Sequence, residues 1–183
     1  PIPTLDDRKA WFAKVRQAQA AHPARHADRK AARIIFCVLE CAMHQAQPQV
    51  TLSGVPTDVG ASRLGAAMGP DALRVAQLGP ALAQLGVQVH DIGNLAGPPN
   101  PRGARDAAGM RNLAECIAWN QVAHDAVWQA LQQGRLPIML GGDHTLATGS
   151  ISAVARHCRA KGQRLRVLWL DAHSDCNTPE NSP

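Results

Sequence analysis

The sequence predicts an α/β domain that is built around a parallel β-sheet. After residue 49, short apolar runs alternate with longer amphipathic segments, which is typical of strand–helix–strand units. Some of these runs are apolar on both faces, as strands are when helices cover both sides of a parallel sheet. Each run also ends at glycine or aspartate, so the polar chemistry is concentrated where the strands stop.

Strands are predicted where the apolar runs are too short for helices, and helices where the period approaches 3.6 residues. The predicted strands are residues 50–54, 86–93, 136–142 and 166–170. The predicted helices cover residues 6–21, a segment that begins near Pro70, residues 112–133 and residues 145–161, with a Pro- and Gly-rich loop over 94–106. In the long helix, the side chains predicted to share one face are Leu113, Ile117, Val127 and Leu131.

Composition excludes several functional classes. The chain has 183 residues, of which 45% are hydrophobic and 18% charged, which fits one globular domain and not a disordered segment. It contains no apolar run near the roughly 20 residues of a membrane helix, and its first residues do not resemble a signal peptide. The five irregularly spaced cysteines argue against a disulfide framework. We therefore expect a cytoplasmic protein with no membrane partner.

The net charge of +5 raises the question of nucleic-acid binding. The basic residues are scattered, and the densest basic zone, residues 8–33, carries no array of aromatic side chains for stacking. No nucleic-acid partner is predicted, and a basic binding module over 8–33 remains as an alternative from another functional class.

Residues 1–48 differ from the rest of the chain because they lack the strand–helix alternation. They are interpreted as an N-terminal extension or an upstream read-through, with Met43 as a plausible start, and residues 49–183 as the main domain. Deleting residues 1–42 is expected to change stability little, although the apolar run 34–39 would oppose this if it added a strand. Both chain ends look cut, which suggests a fragment.

Two polar motifs follow two consecutive predicted strands, at the edge of the sheet where α/β proteins bind ligands. They are residues 141–144 (GGDH) and 171–175 (DAHSD). Mixed imidazole and carboxylate donors suit Mn²⁺, Fe²⁺ or Zn²⁺. The candidate metal ligands are His144, Asp171, His173 and Asp175. The alternatives are a hydrogen-bonded turn histidine, a helix-capping aspartate, and an Asp143 that only orients its loop.

These motifs, together with residues 54–58 (GVPTD) and 65–74 (GAAMGPDALR), resemble the ureohydrolases, the family of arginases and agmatinases. The similarity runs from about residue 49 to the end and is greatest to a bacterial-type arginase. It implies a three-layer α/β/α ureohydrolase fold with a parallel sheet, truncated here at the C-terminus. It also implies two Mn²⁺ ions per full-length subunit and a homo-oligomer.

The resemblance implies manganese-dependent hydrolysis of the guanidinium group of L-arginine to L-ornithine and urea. His144 and His173 would each ligate one ion, Asp171 and Asp175 would complete and bridge the pair, and Asp175 would orient the attacking hydroxide. Asn177, and more weakly Ser182, would contact the α-carboxylate of arginine, which agmatine lacks. The alternatives are an agmatinase or guanidino-acid hydrolase, or a catalytically incomplete fragment, because the family's remaining aspartates lie beyond this chain.

Overall fold

A three-stranded parallel sheet forms the centre of the protein in a computed structural model, which describes residues 48–101 and 109–171. The strands are β1 (Gln49–Val55), β2 (Gln88–Asn94) and β3 (Leu136–Gly141). Their order is β2-β1-β3, and both neighbours run parallel to β1. Three of the four predicted strands are thereby confirmed, and the parallel direction brings all three carboxyl ends to one edge.

Four α-helices accompany these strands within the described residues. They are α1 (Gly69–Val75), α2 (Leu78–Gln84), α3 (Leu113–Gln132) and α4 (Ala147–Ala160). Pro70 lies in the first turn of α1, as predicted, because its missing N–H has no helical partner to lose there. The long predicted helix is confirmed as α3 within one residue at each end. The last predicted helix begins with a 3₁₀ turn, His144–Leu146, before α4.

The two faces of the sheet bury separate hydrophobic clusters. On one face, Val50 and Leu52 of β1 pack with Val87 and with Leu82 of α2. On the other face, Val55 packs against Trp119 and Ala123 of α3. Successive side chains of a strand point to opposite faces, so β1 is covered on both sides. This arrangement confirms the three-layer α/β/α fold for the part of it that the structure describes.

The buried face of α3 agrees only in part with the predicted one, because Val127 belongs to both. Leu113 and Ile117 are 45% and 51% exposed, whereas Trp119, Ala123 and Val127 are each at most 4% exposed. The buried face is rotated by about a quarter of a turn from the predicted face. The large apolar side chains dominate the sequence pattern, whereas two of the buried positions, Ala123 and Ala130, are alanines and give a weak hydrophobic signal.

The predicted strand at 166–170 is wrong. Residues 163–171 form neither helix nor strand, and Val167, Leu168 and Leu170 are each more than half exposed. Both edges of β1 are already paired, and no described residue pairs with the outer edge of β3. An apolar run indicates a preference for burial, but a strand also needs a neighbour that accepts its backbone hydrogen bonds.

Several predictions lie outside the described residues. They are the helix at 6–21, the run at 34–39, the start at Met43, and the boundary of the extension at 1–48, whose last residue alone is described. No helix in the described part of the chain is both long and apolar enough to cross a membrane. Cys116 and Cys158 are free thiols.

Arg74 connects helix α1 to strand β2 through a network of charged and amide groups. Its guanidinium donates to both oxygens of Asp91, from Nε at 2.8 Å and from Nη2 at 2.9 Å. The same side chain donates to Asn94, which in turn donates to Asp71. The hydrogen bonds from Arg74 lower the pKa of Asp91, against an opposing effect of partial burial, and the Gly93 N–H adds to the lowering.

This depressed pKa predicts a pH-dependent contribution to stability. The contribution is fully present above the ordinary carboxyl pKa of about 4 and is lost as the pH falls through the lower pKa of the folded state. Because the pair is partly exposed, we expect about 1 kcal/mol or less. Urea unfolding of the native chain and of Asp91→Asn should differ at pH 7, and the difference should shrink toward pH 3. A difference that stays constant over this range would contradict the account.

Helices α3 and α4 cross in close contact at Gly149. The Gly149 N–H donates to Oδ1 of Asn120 at 2.7 Å. A β-carbon at position 149 would lie 2.2 Å from the backbone oxygen of Asn120, so neither helix can keep its place with a larger residue there.

Gly149→Ala is therefore expected to lower the free energy of unfolding by about 1–3 kcal/mol, the usual cost of overpacking. Gly79→Ala is the matched control, because a β-carbon at this helical position of α2 would meet no atom within 4 Å. It should leave stability unchanged or raise it by up to about 1 kcal/mol. Chemical denaturation measures the free energy of unfolding of both variants. An equal change in the two variants would show that the close contact at Gly149 is unimportant for stability.

Candidate metal centre

The loops that follow β1, β2 and β3 meet at the carboxyl edge of the sheet. Asn100, in the loop after β2, accepts a hydrogen bond from Oγ1 of Thr57 at 2.9 Å and donates to Oδ1 of Asp58 at 2.7 Å. Asp58 also accepts from the Gly65 N–H at 2.8 Å, which closes the loop after β1 upon itself. The backbone of this region is therefore held by buried side chains, since Thr57 and Asp58 are at most 5% exposed.

The turn after β3 lies directly on the loop after β1. The Asp143 N–H donates to the Thr57 carbonyl at 3.1 Å. A β-carbon at Gly142 would lie 2.6 Å from the Thr57 oxygen and 2.7 Å from the Val55 oxygen. Glycine at this position is what allows the two backbones to approach so closely.

The carboxylate of Asp143 points into this junction and caps the turn. Its Oδ2 accepts from the Gly60 N–H at 2.8 Å, and its Oδ1 accepts from the Thr145 N–H at 3.0 Å and from Thr145 Oγ1 at 2.5 Å. Both oxygens are thus engaged by protein donors. This geometry agrees with the alternative in which Asp143 orients its loop, and the residue is occupied as an N-cap of the 3₁₀ turn.

His144 and Asp171 come together at this edge. The Nε2 atom of His144 lies 3.0 Å from Oδ2 of Asp171, and the imidazole ring centroid is 5.3 Å from that of Trp169. The Asp171 side chain is 13% exposed, whereas the His144 side chain is 65% exposed. Two motifs that are separate in sequence therefore place an imidazole and a carboxylate side by side, although residues 163–171 form no strand.

This pair fits a divalent metal ion by its chemistry and its spacing. Imidazole nitrogen and carboxylate oxygen are suitable donors for Mn²⁺. An octahedral ion with bonds of about 2.1 Å holds adjacent ligand atoms about 3 Å apart, which is close to the observed separation. The same separation also suits a hydrogen bond between the two side chains, so His144 and Asp171 can hold each other in place before an ion binds.

The other predicted site residues, His173, Asp175, Asn177 and Ser182, lie outside the described residues. Within 48–101 and 109–171, no group of three or more His, Cys, Asp or Glu side chains is arranged to hold a metal ion. The described part of the proposed ligand set is therefore the His144–Asp171 pair, and the remaining ligands stay a prediction.

Cys116 lies near the junction, packed against the cluster of Trp119 and Leu146. Burial raises the pKa of its thiol, and the nearby carboxylates of Asp143 and Glu115 raise it further. A thiol with a raised pKa is protonated near neutral pH and is a poor nucleophile or metal ligand. Cys116 therefore contributes packing to this site.

Sequence reasoning missed the supporting contacts of Gly60, Asn100 and Thr145. Gly60 follows closely on the GVPTD motif, which was the available signal that the loop after β1 matters. Nothing in the sequence indicates that its N–H meets a carboxylate 83 residues further along the chain. A shallow cleft of about 330 Å³ lies beside these contacts and is lined in part by Asp58, Asn100 and Arg111.

The chain is an α/β/α protein with helices on both faces of a parallel sheet and a polar site at the carboxyl edge of that sheet. Proteins of this class bind ligands between the loops that follow the strands. The family model that matches is the arginase family, over residues 48–183. The chain belongs to the arginase family, and the resemblance to ureohydrolases is confirmed.

Individual relatives agree with this family. The chain is 38% identical to an arginase of Bacillus caldovelox over 135 residues, which is 73% of this chain and 44% of that protein. It is 37% identical to an arginase of Brucella melitensis over 129 residues, or 70% of this chain and 42% of that one. The chain thus spans less than half the length of these curated relatives.

Solved structures give the same result for the fold. The native arginase of Bacillus caldovelox superimposes with a TM-score of 0.66 at 38% identity, covering 75% of this chain and 44% of the other. An arginase of Entamoeba histolytica in complex with L-ornithine gives a TM-score of 0.64 at 31% identity, with coverages of 76% and 46%. The described fold therefore corresponds to part of an arginase fold.

Proposed function

We propose that this chain is the N-terminal part of a manganese-dependent arginase, which hydrolyses the guanidinium group of L-arginine to L-ornithine and urea. The observation that carries the proposal is the 3.0 Å approach of His144 Nε2 and Asp171 Oδ2 at the carboxyl edge of the sheet. The relatives named arginase support the substrate. Because the chain spans less than half of their length, the activity belongs to the longer enzyme and the chain alone is expected to be inactive.

His144, Asp171, His173 and Asp175 would hold two Mn²⁺ ions, with further carboxylates from the rest of the enzyme. Bound manganese would supply Lewis acidity and lower the pKa of water toward neutrality. His144 would offer the lone pair of Nε2 to one ion. The side chain of Asp171 is 13% exposed, and the imidazole beside it or a cation would stabilise its charge.

The substrate contacts are proposed from the segment after Asp171. Asn177 would donate an amide hydrogen bond to the α-carboxylate of arginine, and the hydroxyl of Ser182 would add a weaker contact. Asp175 would act as the catalytic residue by accepting a hydrogen bond from the attacking water and aligning it with the guanidinium carbon.

We further propose a cytoplasmic enzyme that acts on a small molecule, without a nucleic-acid or membrane partner, and that forms a homo-oligomer at full length. The free thiols of Cys116 and Cys158 fit a reducing compartment.

The test of the substrate uses the manganese-loaded enzyme expressed from the in-frame continuation of the gene. Urea release from L-arginine should exceed that from agmatine and from guanidino acids. Asn177→Ala removes a charge-assisted hydrogen bond of about 1.5–3 kcal/mol, so KM for arginine should rise roughly 10- to 150-fold. KM for agmatine, which carries no carboxylate, is the internal control and should change much less.

Two outcomes would overturn parts of this proposal. If Asn177→Ala raises KM equally for arginine and for agmatine, the proposed role of Asn177 is excluded and another ureohydrolase activity is favoured. A continuation of the gene that lacks further aspartates, with no hydrolysis of any guanidino compound, would identify a catalytically incomplete protein.

A further inference from the structure

The side chain of Asp143 joins two segments that are distant in sequence. One carboxylate oxygen accepts from Gly60 in the loop after β1, and the other accepts twice from Thr145 in the turn after β3. Each of these donors would lose its partner if the carboxylate were removed. Charge-assisted hydrogen bonds of this kind are about twice as strong as neutral ones, so the carboxylate matters and not only the shape of the side chain.

Packing reinforces the same junction. The hydrogen bond from its hydroxyl fixes the rotamer of Thr145, whose methyl group then lies directly over Gly60. A β-carbon at Gly60 would meet that methyl carbon at 2.0 Å. The loop after β1 therefore contacts the turn both through hydrogen bonds to Asp143 and through van der Waals contact with Thr145.

His144 lies between these two anchored residues. Its side chain is 65% exposed, so packing by neighbours does little to hold the ring. The ring contacts Asp171 and Trp169, which belong to a segment without helix or strand. The hydrogen bonds of Asp143 and Thr145 hold the backbone on both sides of His144 and so set the direction in which its side chain leaves the chain.

We propose that Asp143 is a positioning residue for His144: by holding residues 141–145 on the loop after β1, it sets the imidazole toward Asp171 before a metal ion binds. This inference rests on the proposed function for the statement that His144 is a metal ligand. The placement of His144 beside Asp171 is independent of that function and can be measured without metal.

The first measurement is Mn²⁺ binding to the 183-residue chain by calorimetry, at a temperature where every variant is folded. Asp143→Ala should weaken Mn²⁺ binding about 10- to 100-fold, as is usual for residues that orient a metal ligand. Asp143→Asn keeps one acceptor oxygen and should give an intermediate loss. His144→Ala should weaken Mn²⁺ binding at least as much as Asp143→Ala does. Asp125 is an exposed aspartate of α3, so Asp125→Asn should bind Mn²⁺ as tightly as the unaltered chain.

The second measurement is NMR of the metal-free chain. In Asp143→Asn the Gly60 or Thr145 amide should exchange faster with solvent, and the imidazole resonances of His144 should shift as its contact with Asp171 is lost. A role in stability alone would lower the melting temperature without moving the resonances of His144 in the folded state.

The two proposals fail in different ways. If His144→Ala binds Mn²⁺ as the unaltered chain does, the metal role of His144 is wrong, and the NMR result alone decides the role of Asp143. If the Asp143 variants keep both the resonances of His144 and the amide exchange rates of Gly60 and Thr145, Asp143 does not position His144, whatever the metal affinity.

Discussion

The close contact between the turn after β3 and the loop after β1 is the constraint on which the site depends. Gly142 has no space for a side chain beside the Thr57 and Val55 oxygens, and the Asp143 N–H binds the Thr57 carbonyl. The parallel pairing of β3 with β1 brings these two segments to the same edge. A shift of β3 by one residue would reverse the face of every side chain, so register and turn geometry fix the position of His144 together.

The two described residues of the site, His144 and Asp171, differ in how firmly the surrounding backbone is held. His144 follows a paired strand and an anchored turn, whereas Asp171 ends a segment that is exposed and forms no strand. The exposed apolar side chains of 167–170 indicate a surface that is suited to burial, and the relatives are more than twice as long as the matched region. The proposed activity therefore depends on a second layer of protein around Asp171, which would bury this segment and bring further carboxylates to the metal ions.

Local chemistry explains which features the sequence could predict. β1 and β3 are apolar runs bounded by glycine, and α3 is long and ends at Gly134, whose positive φ suits glycine after a helix. The buried face of α3 is predicted only in part, at Val127, because the buried residues Ala123 and Ala130 give a weak hydrophobic signal. The segment 166–170 was misassigned because its pairing depends on a neighbouring strand. The 3.0 Å approach of His144 to Asp171 and the hydrogen bond from Gly60 to Asp143 depend on how the loops fold, which residue type alone does not indicate.

A crystal structure of the manganese-soaked protein, with anomalous diffraction measured at the manganese edge, would show whether His144 and Asp171 bind the same metal ion. We expect an anomalous peak within about 2–2.5 Å of both His144 Nε2 and an Asp171 carboxylate oxygen. Asp143 should still accept its hydrogen bonds from Gly60 and Thr145 and should lie outside the coordination sphere of the ion. Manganese bound directly by Asp143, or bound at a site that excludes His144, would contradict the account.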